Sequence, residues 1–298
     1  MIKKFLKYVE ITTKITSLYA YLNTMLFIIY QKQPVNVKLM VVFFIAMFLF
    51  DLTTTAINNY IDSKDYPDML PLPRKSAFAV IIIMLAISTL LGLYLAYNTG
   101  IVVLLLGAFC FLLGIFYTFG PIPISRIPLG EAISGIAYGM FIPFLILYIN
   151  NPTHYLSLDL SFETISLQIH VWPFIEFFLF SLVTTFTTAN IMLANNTCDI
   201  EKDTAVGRLT LAYYIGRKWA VRLYALLYYG TYASVALMVV LRILKPAALI
   251  FFLSLPLVIR NIHAFKKEQI KEKTFITSIK NFIIINTCYA LSILAAMI

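Results

Sequence analysis

Charge is what this sequence lacks most. Only 12% of its 298 residues are Asp, Glu, Lys or Arg, whereas 61% are hydrophobic, a balance that excludes a soluble globular domain and marks an integral membrane protein. Cysteine is equally scarce. Cys110, Cys198 and Cys288 show no CxxC or other metal-ligand spacing, which argues against a structural disulfide and against a thiolate metal site. The segment from about 150 to 170 carries His154, Asp159, Glu163 and His170, again without ligand spacing, and reads as a solvated cap. No small-residue cleavage site follows the basic N-terminus, so the first helix is expected to stay.

Long apolar runs are what the chain has instead. Nine can cross a bilayer as helices: roughly 15–31, 38–60, 77–97, 101–119, 130–149, 172–194, 219–241, 244–260 and 276–297. With the N-terminus placed inside, every lysine and arginine except Lys32, Lys38, Arg242 and Lys245 falls on the inner side. That asymmetry puts the N-terminus in the cytoplasm and, after nine spans, the C-terminus outside. It also accounts for the net charge of +9 without nucleic acid, and the basic loop from Lys266 to Lys273 reads as a contact with anionic lipid headgroups. The whole chain, 1–298, reads as a single transmembrane domain.

The remaining polar residues are patterned. NNxxD occurs at Asn58 to Asp62 and again at Asn195 to Asp199, each time at the end of an apolar run and on the inner side. Helical spacing aligns Asp51, Thr55, Asn58 and Asp62 on one face, and Thr188, Asn195 and Asp199 repeat the same intervals of seven and four. If the helix continues, Asp203 joins Asp199. Taken singly, such a cluster reads as a polar helix end at the membrane surface. Two matching clusters of carboxylate and amide oxygens suit magnesium, which is held by one or two carboxylates and otherwise by water and substrate phosphates. Asp51, a carboxylate at membrane depth, is a functional candidate or the partner in a buried interhelical hydrogen bond. Glu176 lies within the sixth span with no assigned function.

Two loops join this inner surface. The first, after Asp62, carries Lys64, Asp65, Asp68, Arg74 and Lys75 among three prolines. The second, FYTFGPIPISRIPLGE from Phe116 to Glu131, cannot continue a helix and brings Tyr117, Arg126 and Glu131 to the surface. Arg74, Lys75, Arg126 and Arg208 are candidate diphosphate ligands. Tyr117 and Tyr60 are candidate aromatic stabilisers of an allylic cation. Lys14 enters the membrane where snorkelling is usual, and Gly135 and Gly139 are spaced for close helix packing.

Together NNxxD at Asn58, YTxGPxP from Tyr117, LGE at Leu129 and DIEKDxxxGxxTLAxxxG from Asp199 to Gly216 resemble the UbiA superfamily of intramembrane prenyltransferases, nearest its menaquinone-pathway branch. The resemblance covers essentially the whole chain. It implies an all-α, nine-transmembrane-helix bundle with a cytoplasm-facing cavity and a lateral opening for an isoprenoid tail. It further implies Mg2+ held by Asn58, Asp62, Asn195, Asp199 and Asp203, and magnesium-dependent prenyl transfer from a polyprenyl diphosphate to an aromatic acceptor, 1,4-dihydroxy-2-naphthoate, with decarboxylation. Catalytic roles then fall on Asp62, Asp199, Asp203 and Tyr117, and Lys14 and Arg126 stand near the family's basic positions as diphosphate ligands. The first motif departs from the family's pattern by carrying Tyr66 where a second Asp is common, which leaves open whether Asp65 acts as a metal ligand instead. Another acceptor, such as 4-hydroxybenzoate or a haem vinyl group, is the nearest competitor. An ion-coupled transporter ranks lower, because the acidic clusters lie at helix ends and the spans lack paired Gly/Pro interruptions.

Overall fold

The computed structural model describes residues 2–64, 70–121 and 123–298. A short helix α1 (Ile2–Tyr8) leads through a 3-10 turn into α2 (Ile15–Tyr30), followed by the long helices α3 (Val37–Asp62) and α4 (Arg74–Thr99). Then come α5 (Ile101–Phe116), and α6 (Gly130–Ile136) and α7 (Ile142–Asn150), which are one rod joined by a π-helical turn. After α8 (Pro152–Tyr155) come two antiparallel strands, β1 (Leu156–Leu160) and β2 (Ile165–Ile169). The chain ends with α9 (Val171–Cys198), α10 (Ile200–Ala205), α11 (Leu211–Val240), α12 (Leu255–Lys267) and α13 (Ile276–Met297).

Local chemistry sets several of these boundaries. Asn36 starts α3 by accepting the Leu39 amide on its side chain at 3.1 Å, a standard N-cap. Gly100 takes φ +100° between α4 and α5, a left-handed conformation that permits the sharp reversal. Gly216, at φ +75°, breaks the start of α11 in the same way.

Among the described residues, seven helical segments are long and apolar enough to span a membrane. The other two of the nine expected spans, α2 and α5, have 16 residues each and so rise only about 24 Å, less than the roughly 30 Å hydrocarbon core. The segment around 150–170 is a further departure. It is a β-hairpin whose strands alternate apolar and polar residues, where an all-helical chain with a solvated cap was expected.

Helix α9 is the hub. Its spanning window is 72% buried, against 22% for α4, so α9 is enclosed by protein while α4 faces lipid. Gly135 and Gly139 let the α6–α7 rod lie directly on α9. A Cβ at Gly135 would stand 2.8 Å from the Thr185 carbonyl oxygen, and one at Gly139 would run into the Thr185 backbone and hydroxyl. Glu176 also finds its partner here, accepting the Gln31 side-chain amide at 2.8 Å and tying α9 to the end of α2.

Lys14 does not snorkel. It is 2% exposed, and its ammonium donates to the Asp51 side chain at 2.9 Å, to the Asp51 carbonyl at 2.9 Å and to the Thr55 hydroxyl. Asp51 also accepts from Ser17 at 2.6 Å and from Tyr138 at 2.7 Å. The Asp51 carboxylate is therefore a fully partnered junction of α2, α3 and the α6–α7 rod.

Two stability outcomes follow from these contacts. Gly139→Ala is expected to cost about 1–3 kcal/mol by overpacking against Thr185 and to lower the thermal midpoint in detergent, whereas an unchanged midpoint would show that the rod can lift off α9 freely. Lys14→Met leaves a buried carboxylate unpaired, at about 3–5 kcal/mol. The double variant Lys14→Met/Asp51→Leu should recover part of that loss in the same melting assay, and no recovery would mean that Lys14 acts through packing alone.

Candidate functional site

The two acidic motifs reach the same end of the bundle by different routes. In α3, Asp51, Thr55 and Asn58 line a cavity of about 640 Å³. Asp62 is the last helical residue, exposed, and borders a smaller recess with Lys7, Glu10 and Asn59. In the second motif the helix does not run straight through. α9 ends at Cys198, Asp199 has φ −104° and ψ 13°, and α10 resumes at Ile200. The Asp203 amide still donates to the Asp199 carbonyl at 2.8 Å, so the two carboxylates remain one turn apart. Both are 7% exposed.

The loop Tyr117–Glu131 straps the two motifs together. Thr118 donates to the Asn58 side-chain oxygen at 3.0 Å, and Asn196 donates to Glu131 at 2.8 Å. The Leu209 amide donates to the Arg126 carbonyl at 3.0 Å, and Arg208 donates to the Ser125 carbonyl at 3.3 Å. Arg208 also stands 3.6 Å from Asp203. Burial pushes the Asp203 carboxyl above the ordinary carboxylate range, Arg208 opposes this, and the neighbouring Asp199 adds to it.

The cations sort into two groups. Arg208 is at the acidic cluster, and Arg126 is exposed at its edge. Arg74 is turned to the Tyr60 ring, 4.1 Å from its centroid, and caps the Ser63 carbonyl, while Lys75 is exposed and makes no ion pair among the described residues. In this conformation Lys14 has its three donors occupied by α3. Tyr117 lines the cavity. Tyr60 packs instead with Leu52, Ala56 and Tyr8 on the opposite side of α3, which removes it from any reacting centre in the cavity. Asn195 is half-buried and contacts Asn196. Asp65, Tyr66 and Asp68 lie outside the described residues.

One residue at the cluster escaped sequence reasoning. Lys271, in the basic loop between α12 and α13 assigned to lipid headgroups, makes an ion pair with Asp199 Oδ2. Nothing local signals this, because the partners are 72 positions apart.

The donor set fits magnesium. Asp199 Oδ1 and Asp203 Oδ2 are buried without a hydrogen-bond partner, and hard carboxylate oxygens left bare in this way are what the ion takes. Among the described residues no three Asp, Glu, His or Cys side chains converge, so an all-protein cage is not built here. Magnesium does not require one when phosphate oxygens complete its shell.

The cavity runs away from this polar end. Along α3 it extends from Asn58 to Phe43, about 22 Å at the helical rise. Its far wall is Thr89, Gly92, Leu93 and Leu95 of α4 with Val103 to Gly114 of α5. Leu93, Leu104 and Leu112 line it and are also exposed on the outer surface of the bundle, so this wall is a single layer facing lipid.

Of the two acidic motifs, Asn58 lines this apolar cavity, and the strap ties it to the second motif, whose carboxylates lie outside the cavity lining. A model of the UbiA prenyltransferase family matches residues 20–283. The chain is 26% identical over 260 residues to the 1,4-dihydroxy-2-naphthoate octaprenyltransferase of Bacillus subtilis (strain 168), covering 83% of this chain and 77% of that one. The apo structure of a UbiA homolog from Aeropyrum pernix K1 matches with TM-score 0.66 at 17% identity, over 96% of this chain and 98% of that one. A UbiA homolog from Archaeoglobus fulgidus bound to GPP and Mg2+ matches with TM-score 0.63 at 13% identity, over 99% of each chain. The chain belongs to the UbiA prenyltransferase family: it is a multi-pass membrane enzyme that transfers prenyl groups.

Lys271→Met removes a cation that competes with a metal for Asp199. Titration of Mn2+ in the absence of diphosphate, followed by its electron spin resonance signal, is expected to show binding tightened on the order of two- to five-fold, the scale of a part-exposed ion pair. Unchanged or weaker binding would separate Lys271 from the metal site.

Proposed function

We propose that this chain transfers a polyprenyl group from a polyprenyl diphosphate to 1,4-dihydroxy-2-naphthoate, with loss of the carboxyl group as carbon dioxide, giving the hydroquinone form of demethylmenaquinone. The observation that supports the donor half of this reading is the strap between the motifs: Thr118 holds Asn58 at the cavity, and the Ser125 and Arg126 carbonyls hold the turn that sets Arg208 beside Asp203. The acceptor half rests on the Bacillus subtilis relative, whose name specifies that naphthoate.

In this reading Asn58 and Asp62 from the first motif and Asn195, Asp199 and Asp203 from the second hold magnesium, with Asp65 a further candidate. Magnesium, when bound, neutralises the charge that develops on the departing diphosphate. Arg208 and Lys271, which pair with Asp203 and Asp199 in the present structure, turn to the diphosphate oxygens, and Arg126 adds charge from the loop. Arg74 and Lys75 are further candidates to meet the headgroup, which for Arg74 requires leaving the Tyr60 ring. Lys14 contributes by holding Asp51 and Thr55 in the cavity wall.

The allylic carbon–oxygen bond breaks with its electron pair going to the diphosphate. Tyr117 presents an aromatic face to the allylic cation, and the apolar walls of α3, α4 and α5 keep water from capturing it. The ring carbon bearing the carboxylate forms the new carbon–carbon bond, and carbon dioxide leaves from that carbon. The lysine and arginine asymmetry supports a site on the cytoplasmic side of the cell membrane.

The test is product identification by mass spectrometry after the purified protein receives Mg2+, a polyprenyl diphosphate and either dihydroxynaphthoate or 4-hydroxybenzoate. A prenylated, decarboxylated naphthohydroquinone, with the quinone that air makes from it, formed only with Mg2+ is the expected product. Product from hydroxybenzoate alone would overturn the acceptor and keep the donor chemistry. In folded Asp62→Ala and Asp199→Ala proteins, turnover is expected to fall on the order of a hundredfold or more, and near-normal turnover in both would sink the metal assignment.

A further inference from the structure

Beyond Leu156 at its base, which packs against the core, the β1–β2 hairpin presents an apolar face left largely exposed by the described residues. Its register pairs Leu156 with Ile169, Leu158 with Leu167 and Leu160 with Ile165, and these alternate with Ser157–Gln168 and Asp159–Ser166. Directly opposed residues share a face, so all six apolar side chains lie on one side and the four polar ones on the other. The tip is a four-residue turn in which the Ser161 amide donates to the Thr164 carbonyl at 2.9 Å and the Thr164 amide donates to the Ser161 hydroxyl at 2.9 Å. That turn holds Phe162 fully in the open, and Ile165 is 76% exposed.

Position in the fold identifies what meets this face. The hairpin is inserted between two spans with no linker: Tyr155, just before β1, is fully buried, and the His170 amide closes the base by donating to the Tyr155 carbonyl at 3.0 Å. Five-residue strands reach only about 17 Å, so the hairpin stays at the membrane boundary. It lies at the start of α9, whose 28 residues carry the chain about 42 Å to Asp199, which puts the hairpin on the membrane face opposite the acidic motifs. Its apolar side is continuous with the lipid-facing surface of α9, through Ile169, Val171 and Trp172 to Phe178, all of them exposed. Between Asn151 and His170 there is no lysine or arginine, and Asp159 and Glu163 carry the only carboxylates.

We propose that the β1–β2 hairpin lies flat on this membrane face, with its apolar side and Phe162 set into the boundary between headgroups and acyl chains and its polar side in water. The occupant of the face is lipid. The attachment is apolar, so it needs no anionic headgroup and is not released by salt, in contrast to the lysine-rich surface at the other end of the bundle.

Single tryptophans placed on the two faces test this in the full-length protein reconstituted into bilayers, in a background where Trp172 and Trp219 are replaced by Phe. Phe162→Trp is expected to be quenched by lipids brominated on the acyl chains, to emit at shorter wavelength than in detergent-free buffer standards, and to stay quenched in high salt. Ser166→Trp, on the polar face, is expected to resist brominated lipid and to be quenched by aqueous iodide. Both positions are exposed, so neither change disturbs a packed core. Iodide quenching of Phe162→Trp would overturn the proposal, and so would lipid quenching of both positions. Quenching of Phe162→Trp by brominated lipid that disappears as protein density in the bilayer rises would assign the face to a second copy of the chain, which also overturns it.

Discussion

The site depends on one strap. The stretch from Tyr117 to Leu129, which leads into Glu131 in the first turn of α6, cannot form an α-helix because of Gly120 and its prolines, and several of its polar groups take partners outside it, in the two acidic motifs. Thr118 holds Asn58, Glu131 holds Asn196, and the backbone at Ser125 and Arg126 holds the turn that carries Arg208. Irregular backbone is tolerated near membrane depth only where protein satisfies it. The same requirement that makes the strap expensive on its own makes it a rigid spacer between the motifs.

Charge in the bundle is arranged in two layers with different purposes. The deeper layer is Lys14 with Asp51, closed by Ser17, Thr55 and Tyr138. Every donor and acceptor of the pair is used, which is the condition under which a buried ion pair survives. The outer layer, Asp199 and Asp203 with Lys271, Arg208 and the distant Lys202, is left incomplete. Two buried carboxylate oxygens lack hydrogen bonds, and the cations facing them sit on loops or at the surface. A satisfied layer is structural and an unsatisfied one is ready to exchange partners, so the layering separates scaffold from chemistry more sharply than sequence position does.

Much of this was legible in the sequence, and the failures have specific causes. The stripe Asp51, Thr55, Asn58 follows from helical spacing and lines the cavity as that spacing requires. Tyr60 was readable too, since two residues beyond Asn58 is about 200° around the helix, which sets it on the opposite face. The hairpin announces itself in LSLDL and ISLQI, whose period of two is incompatible with the helical and solvated alternatives. The burial of Lys14 and the reach of Lys271 to Asp199 depend on tertiary contacts across long separations. In both cases the ordinary membrane role of lysine, snorkelling or headgroup contact, gave no warning. The break at Asp199 was conditional on helix continuation, and the structure keeps the spacing of the two carboxylates while bending the axis.

The asymmetry between α9 and α4 explains why a cavity exists where it does. Helix α9 is enclosed on most sides, with Gly135 and Gly139 drawing the α6–α7 rod onto it until no space remains. Across the bundle, α4 and α5 have lipid on their outer side and small residues on their inner side: a Cβ at Gly92 or Gly107 would meet no heavy atom within 4 Å, and both glycines line the cavity. Glycine on one side of the bundle removes space and on the other side creates it. The second acidic motif therefore ends the tightly packed helix, while the far side of the apolar volume is bounded by helices whose outer partners are fluid. For the polyprenyl diphosphate proposed above that division matters, because a wall that would let a long tail pass cannot also be the wall that would hold the charged head.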